Sequence, residues 1–387
     1  MDDLPTIGPT IGPTIGPTIG VVGLGTMGLG IVQVYAQAGF PVIATDAHAP
    51  ARDSARDRLT AALQSRVAAG KLTQAERDRA LGCLTVADDL PALAPCQLVI
   101  EAIVEKLDAK QTLFACLEKI VAPDAILATN TSSLPIHGIA RGLRHPARVL
   151  ALHFFNPPPA MKLVELAPHA TTAGDVITRA GTWTEAAGKT VIRCPDRPGF
   201  IVNRCARPYY GEALALLAEG RGPGEIDAAM TAAGYRLGPF ALIDLVGADI
   251  NLAATEGMHT AMQGHPRYHV FPALKAQVAS GNLGRKTGRG FVFPDPPAAA
   301  PSDARTIALR IEAALVNEAH WLLSEGGTTP EGIDTAMRLG LNFPHGPFET
   351  LARHGRSAIL QELARLRAAA PDVLKPRYDP APGLETA

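Results

Sequence analysis

Short apolar runs alternate with stretches of helical period along the first half of this chain. Ile19–Val22 is followed by Ile31, Val32, Tyr35 and Ala36 at helical spacing, and then by Gly39 and a second run, Val42–Thr45. Residues 50–82 are rich in Ala, Arg and Leu with a helical repeat. Residues 98–105 (LVIEAIVE) read as a buried parallel strand ending in an acid, 107–121 as a helix and 125–128 as a strand. A run ending at Val149–Leu152, an alternating run from Met161 to Leu166, a helix over 176–187 and a strand over 190–192 complete the series. Strand–helix alternation with continuous apolar strands predicts a Rossmann-type α/β domain with a mostly parallel sheet over residues 18–194.

The pattern changes at Pro195-Asp196-Arg197-Pro198-Gly199, read as a domain joint. Beyond it helices are expected at 199–204, 210–219, 225–233 and 238–246. These helices make residues 195–294 a helical second domain, closed by the segment 284–293 (GRKTGRGFVF), which reads as a basic turn and a short strand. Residues 295–303 have the composition of a semi-rigid linker.

Residues 304–370 then repeat the helical domain. Glu212, Leu216, Leu217, Glu219 and Gly220 match Glu318, Leu322, Leu323, Glu325 and Gly326. Glu225–Met230 is close to Glu331–Met337, and Gly238-Pro239-Phe240 recurs as Gly346-Pro347-Phe348. In this register Arg204 falls opposite Arg310, but Asn203 falls opposite Leu309, so the first copy is expected to work and the second to pack. The proline-rich residues 371–387 are expected to fray. At the other end, residues 6–20 carry TIGP three times and then TIG. Proline at every fourth position sustains neither a helix nor an inner strand, so 1–17 is read as a tail running into the first strand.

Two stretches carry chemistry. Gly23-Leu24-Gly25-Thr26-Met27-Gly28 lies between an apolar strand and an amphipathic helix, and the next strand ends in Asp46. Strand, glycine turn, helix, strand and acid together form a dinucleotide fingerprint: the turn admits a pyrophosphate at the helix N-terminus and the acid meets the ribose hydroxyls. Asp46 with no arginine directly after it favours NAD over NADP. FAD binding and purely structural glycines are the competing readings. The second stretch, LHFFNPPPAMKLVEL (152–166), delivers His153 at the end of one run, turns at Asn156 and three prolines, and returns with Glu165. A hairpin of this kind sets an imidazole beside a carboxylate, the arrangement of an oriented general base. The competing reading is a core histidine and a surface glutamate. Between the two, Thr129-Asn130-Thr131-Ser132-Ser133 forms a hydroxyl-rich loop at a strand's carboxyl end, where α/β sheets bind ligands. Helix capping would account for Ser133, while Ser132 is left free to face a substrate. His137 and His145 are read as surface or structural.

Composition narrows the field. The 387 residues carry a formal net charge of −1, with no electrostatic case for nucleic acid or an anionic membrane. The five cysteines are scattered without CxxC spacing, as in a reduced protein with neither a disulfide framework nor a metal site. No apolar run reaches eighteen residues and the N-terminus lacks a secretory pattern, so a cytoplasmic protein is expected. Arg52, Arg56, Arg58, Arg66 and Lys71 would suit a phosphorylated carrier such as coenzyme A, or simply solvate a helical hairpin.

GLGTMG, VIEAIVEK, TNTSS, LHFFNPPPAMKLVEL and PGFIVNR, in this order and spacing, resemble the L-3-hydroxyacyl-CoA dehydrogenase family from about Ile19 to Phe293. The resemblance implies an NAD-dependent oxidation of a 3-hydroxyacyl-CoA with no metal. His153 would be the base, oriented by Glu165, while Ser132 and Asn203 hold the substrate's 3-oxygen and thioester region. It implies NAD contacts at Gly23, Gly25, Thr26, Met27, Gly28 and Asp46, and at Glu105, Lys110, Asn156 and Lys286. Relatives with one helical domain dimerise through it. An internal second copy would leave either a homodimer or a monomeric pseudo-dimer. Related readings are a dehydrogenase of a free, gulonate-like hydroxy acid and a non-catalytic crystallin-like relative.

Overall fold

The computed structural model describes residues 16–385, so most of the expected N-terminal repeat, residues 6–15, lies outside the described residues. Eight strands form one sheet: β1 (Ile19–Val22), β2 (Val42–Thr45), β3 (Leu84–Val86), β4 (Leu98–Glu101), β5 (Ile126–Thr129), β6 (Val149–Phe154), β7 (Leu163–Pro168) and β8 (Thr190–Arg193). Their order is β3-β2-β1-β4-β5-β6-β7-β8. Every neighbouring pair is parallel except β6 and β7. Both faces of the sheet are covered, which is why the strands read as unbroken apolar runs. Ile19, Val21, Leu98 and Ile100 pack with the helix Thr26–Gln37. Val22, Val99, Leu127 and Val149 pack with the helix Leu107–Ile120 and share one core with Phe200, Tyr209 and Phe240 of the helical part. The fold is thus a Rossmann-like NAD-binding domain whose sheet is continuous, through its core, with a helical C-terminal part.

Three expectations are corrected. β4 stops at Glu101 rather than Glu105, because the Glu101 carboxylate accepts the Ile103 amide at 2.7 Å and turns the chain out of the sheet. That puts Glu105 in a loop. The basic segment is a 3-10 turn, Arg285–Thr287, with a single bridge between Gly284 and Arg289. The Phe291, Val292 and Phe293 amides are taken by the Asp244 carboxylate at 2.8–2.9 Å, so no ladder forms there. Finally, the described residues beyond 370 do not fray. Residues 372–378 form a 3-10 helix in which Arg377 and Tyr378 are buried.

The reason lies under that helix. Glu212 is fully buried and accepts from Arg310 Nε at 2.9 Å, Arg377 Nε at 2.6 Å and the Tyr378 hydroxyl at 3.1 Å. Glu318 makes the corresponding set with Arg204 Nε at 2.7 Å, Arg267 Nε at 3.0 Å and the Tyr268 hydroxyl at 2.5 Å. Arg310 also grips Glu219, and Arg204 grips Glu325, each through both terminal nitrogens. Pro266-Arg267-Tyr268 and Pro376-Arg377-Tyr378 are therefore matching pieces, a correspondence that the repeat alignment above did not include. Likewise Asp227 caps the helix Pro239–Val246 through the Phe240 and Ala241 amides, and Asp334 caps Pro347–His354 through the Phe348 and Glu349 amides.

Candidate active site

The antiparallel register of β6 and β7 sets His153 directly opposite Glu165. His153 Nδ1 lies 2.7 Å from Glu165 Oε2, with the carboxylate fully buried. The other oxygen, Oε1, accepts the Ile201 and Val202 amides at 3.1 and 2.8 Å. An ionised carboxylate only accepts, so Nδ1 must carry a hydrogen and Nε2 is left with its lone pair. The imidazole is packed by Phe155 and Phe200 at centroid distances of 4.5 and 5.8 Å. Phe200 holds its place with φ +48, a left-handed conformation that costs a non-glycine residue energy and is kept where its surroundings over-determine it.

Asn203 follows Val202 on the short helix Val202–Cys205, so the amides that hold Glu165 also set Asn203 beside it in the chain. Ser132 is reached through Glu105, whose Oε1 accepts the Ser132 amide at 3.2 Å, the Ser133 hydroxyl at 3.0 Å and the Thr131 hydroxyl. Ser133 therefore braces the loop and does not cap the next helix. That helix, Ile136–Ile139, is capped by Asp196, which accepts the Ile136 and His137 amides. Asn130 Oδ1 accepts the Phe154 amide at 2.8 Å and ties the hydroxyl loop to the strand that carries His153.

Lys110 is buried, its ammonium 2.6 Å from Glu101 and 3.1 Å from Glu105, so it is built into the support of the hydroxyl-rich loop. Its charge holds the Glu105 carboxyl below the usual range against the opposing effect of burial. Glu101, absent from the sequence-derived set, is fully buried and satisfied by Lys110, by the Thr129 hydroxyl at 2.7 Å and by the Ile103 amide. The only sign of it in the sequence is an acid in an apolar strand. Asn156 is exposed in the turn after β6. Lys286, also exposed, is paired with Asp249 at 2.6 Å.

The glycine turn fits a dinucleotide. Gly23 has φ +97, and a Cβ there would meet the Ala102 carbonyl at 2.6 Å; one on Gly28 would strike the Gly23 carbonyl. Gly25 has nothing within 4 Å, so the protein's own packing does not require a glycine, and open space remains for a ligand. Asp46 braces the turn, accepting the Leu24 amide at 2.6 Å and the His48 amide at 2.8 Å. Thr26 and Met27 begin the helix that follows. Of the five cations proposed for a phosphorylated carrier, Arg52, Arg56 and Arg58 are occupied by backbone carbonyls. Arg66 and Lys71 have no carboxylate partner among the described residues.

Gly30 is a further glycine with a role the fingerprint does not contain. A Cβ there would lie 2.7 and 2.8 Å from the Pro158 ring, so the turn between β6 and β7 rests on the helix Thr26–Gln37. Gly→Ala inside a helix ordinarily gains up to about 1 kcal/mol. Here Gly30→Ala is expected to lower the melting temperature and reduce kcat, because a rigid ring must move and carry the turn with it. Thermal melts and steady-state kinetics check this; a more stable, fully active variant would refute the contact.

Models of two families of domain match the chain: the 3-hydroxyacyl-CoA dehydrogenase NAD-binding domain over residues 18–197, and the 3-hydroxyacyl-CoA dehydrogenase C-terminal domain over 199–293 and again over 307–386. The chain is 35% identical to 3-hydroxyadipyl-CoA dehydrogenase of Escherichia coli K12, covering 90% of this chain and 93% of that protein. It is 42% identical to 3-hydroxybutyryl-CoA dehydrogenase of Mycobacterium tuberculosis, covering 70% and 96%. The crystal structure of 3-hydroxybutyryl-CoA dehydrogenase from Escherichia coli K12 superposes with a TM-score of 0.89 at 34% identity, over 95% of this chain and 97% of that one.

Proposed function

The chain belongs to the 3-hydroxyacyl-CoA dehydrogenase family, NAD-dependent oxidoreductases, and from that premise we infer how its own residues divide the work. His153 Nε2 takes the hydroxyl proton of an (S)-3-hydroxyacyl-CoA, or returns it in the reverse direction. Glu165 holds the ring in the required tautomer and stabilises the imidazolium that forms. Bound NAD supplies the hydride acceptor. Gly23, Gly25 and Gly28 leave room for its pyrophosphate at the helix N-terminus, and Thr26, Met27 and Asp46 border the same turn. Ser132 and Asn203 hold the substrate's 3-oxygen and thioester region, Glu105 and Lys110 stiffen the loop between cofactor and substrate, and Asn156 and Lys286 close on the cofactor. The observation that carries this reading is the buried 2.7 Å contact between His153 and Glu165, with Nε2 uncommitted.

The helical part is two copies of one domain, supported by the matched Arg–Glu–Tyr sets around Glu212 and Glu318 and by the paired aspartate caps. Copy 1 spans 195–294 and works; copy 2, after the linker 295–303, has Leu309 opposite Asn203 and packs. With copy 2 covering copy 1, the chain is a pseudo-dimer in itself. No helix among the described residues is long and apolar enough to cross a membrane, and with its free cysteines we place the protein in the cytoplasm. Substrates of four to six carbons, including the dicarboxylic 3-hydroxyadipyl-CoA of the Escherichia coli relative, are proposed.

NADH oxidation followed at 340 nm with acetoacetyl-CoA, and separately with free acetoacetate, tests the reaction class. Turnover of the thioester alone is expected. Turnover of the free acid at a comparable kcat/KM would overturn the acyl-CoA assignment.

A further inference from the structure

Five arginines are buried among the described residues: Arg148, Arg204, Arg207, Arg310 and Arg377. Four of them meet a carboxylate, Arg148 at 3.9 Å from Glu118 and the other three at 2.6–2.9 Å from Glu318 or Glu212. Arg207 meets none among the described residues. Its Nε donates to the Asn203 carbonyl at 3.0 Å and its Nη1 to the Thr255 hydroxyl at 3.0 Å. The guanidinium also lies over the Tyr210 ring, 5.0 Å from its centroid. Nη2 makes no hydrogen bond among the described residues and is not sealed in by the packing. A buried cation without a counter-charge is costly. Burial accordingly draws Arg207 below the usual arginine value, opposed only by Tyr210.

The surroundings of Arg207 lead back to the imidazole. Phe200, whose ring centroid lies 5.8 Å from that of His153, is followed along the same segment by Asn203 and Arg207. The helix Ala248–Ala261 runs beside this segment: Thr255 meets Arg207, and a Cβ on Gly199 would strike the Met258 side chain. One turn before Thr255, Asn251 is 3 % exposed and its Oδ1 has no hydrogen-bond partner. The Thr255 hydroxyl donates to the Asn251 carbonyl at 2.7 Å. A buried amide and a buried guanidinium, each with unused donors, thus flank Thr255.

We propose that Arg207, aided by Asn251, holds a carboxylate at the far end of the acyl chain and so selects dicarboxylic 3-hydroxyacyl-CoA substrates. A guanidinium has five N–H donors, and the Asn203 carbonyl and Thr255 hydroxyl take only two of them. A carboxylate that accepts from Nη2 supplies the counter-charge this arginine lacks, and Asn251 can add an amide N–H. The reach agrees. Asn203 and Arg207 are about one helical turn apart, roughly 6 Å along the axis, and in a six-carbon chain the second carboxylate lies three carbons beyond C3. An acyl group that ends in a methyl leaves Arg207 as unpaired as it is without substrate. Selection therefore includes a cost against the wrong chain as well as a gain with the right one. The inference rests on Asn203 lying at the 3-oxygen and thioester end of the substrate, as proposed above.

The test compares two thioesters of one chain length, 3-oxoadipyl-CoA and 3-oxohexanoyl-CoA, as substrates for NADH-dependent reduction by the full chain. The ratio of their kcat/KM values is the readout, because general damage to the fold lowers both alike and leaves the ratio in place. The wild-type chain is expected to favour 3-oxoadipyl-CoA by about 10²-fold, the scale set by truncating one partner of a buried charge pair. Arg207→Met is expected to bring the ratio near one. Arg207→Lys, which keeps a charge but loses the planar fork, is expected to fall between. A wild-type ratio near one overturns the inference, and so does a ratio that Arg207→Met or Arg207→Lys leaves at the wild-type value. If the wild-type chain reduces acetoacetyl-CoA and 3-oxohexanoyl-CoA as readily as 3-oxoadipyl-CoA, the inference falls alone. If it reduces none of the three, the acyl-CoA reading falls and takes the inference with it.

Discussion

Glu165→Gln is expected to leave the fold and NADH binding in place and to lower kcat by about 10²–10⁴-fold, the range a positioned general base contributes. The replacement keeps the volume, so the effect follows from hydrogen-bond polarity. Glu165 serves three donors: His153 Nδ1–H on one oxygen, and the Ile201 and Val202 amides on the other. A glutamine has one oxygen and one NH₂. Turning the NH₂ toward the two backbone amides would bury donor against donors, so the oxygen stays there and the NH₂ faces Nδ1. The imidazole must then accept at Nδ1 and carry its hydrogen on Nε2, the nitrogen required as a base. The imidazolium also loses the charge that stabilises it. Steady-state kinetics with acetoacetyl-CoA, beside an NADH titration by fluorescence, separates the two effects. A variant within twofold of wild type in kcat would refute the pairing as the source of catalysis.

The parts of the site that were readable in advance are those written locally. A glycine turn between a strand and a helix, an acid at the next strand's end, and two apolar runs around a proline turn each fit within a few tens of residues, where period and turn chemistry are informative. The parts that were not readable are long-range pairings. Glu165's second oxygen is held by amides 36 and 37 positions away. Glu101 meets Thr129 across two neighbouring strands, and Gly30 meets Pro158 across the domain. No periodicity records such contacts. The tail beyond residue 370 illustrates the same limit from the other side: its prolines suggest fraying, while the buried Glu212, 165 positions upstream, captures Arg377. A charge buried that deeply must find a partner, and the tail supplies one.

That capture leads to the largest expected loss of stability. Glu318→Ala is expected to cost about 3–5 kcal/mol, the usual result of leaving one partner of a buried pair uncompensated. Arg204 is fully buried, Arg267 nearly so, and the Tyr268 hydroxyl points at the same carboxylate. Burial alone would lower the Arg204 pKa, and Glu318 leads the groups that raise it above the ordinary arginine value, so the substitution removes the main compensation for a buried guanidinium. After the substitution Arg204 keeps only the exposed Glu325, and Arg267 and Tyr268 lose their shared acceptor. A fall in melting temperature on the order of 10 °C follows for a domain of this size. The damage should reach the chemistry. Arg204 stands one residue from Asn203 and two from Val202, whose amide holds Glu165, so the helix that Glu318 grips is the helix that anchors Glu165. The matching substitution, Glu212→Ala, strands Arg310, Arg377 and Tyr378 to a similar degree, but those partners lie in the later helical segment, away from Val202 and Asn203. Both variants are therefore expected to melt early, while below their melting temperatures Glu318→Ala loses more kcat than Glu212→Ala. Equal kcat in the two variants at equal loss of stability would separate the helical segment 307–386 from the site and leave it a purely structural partner.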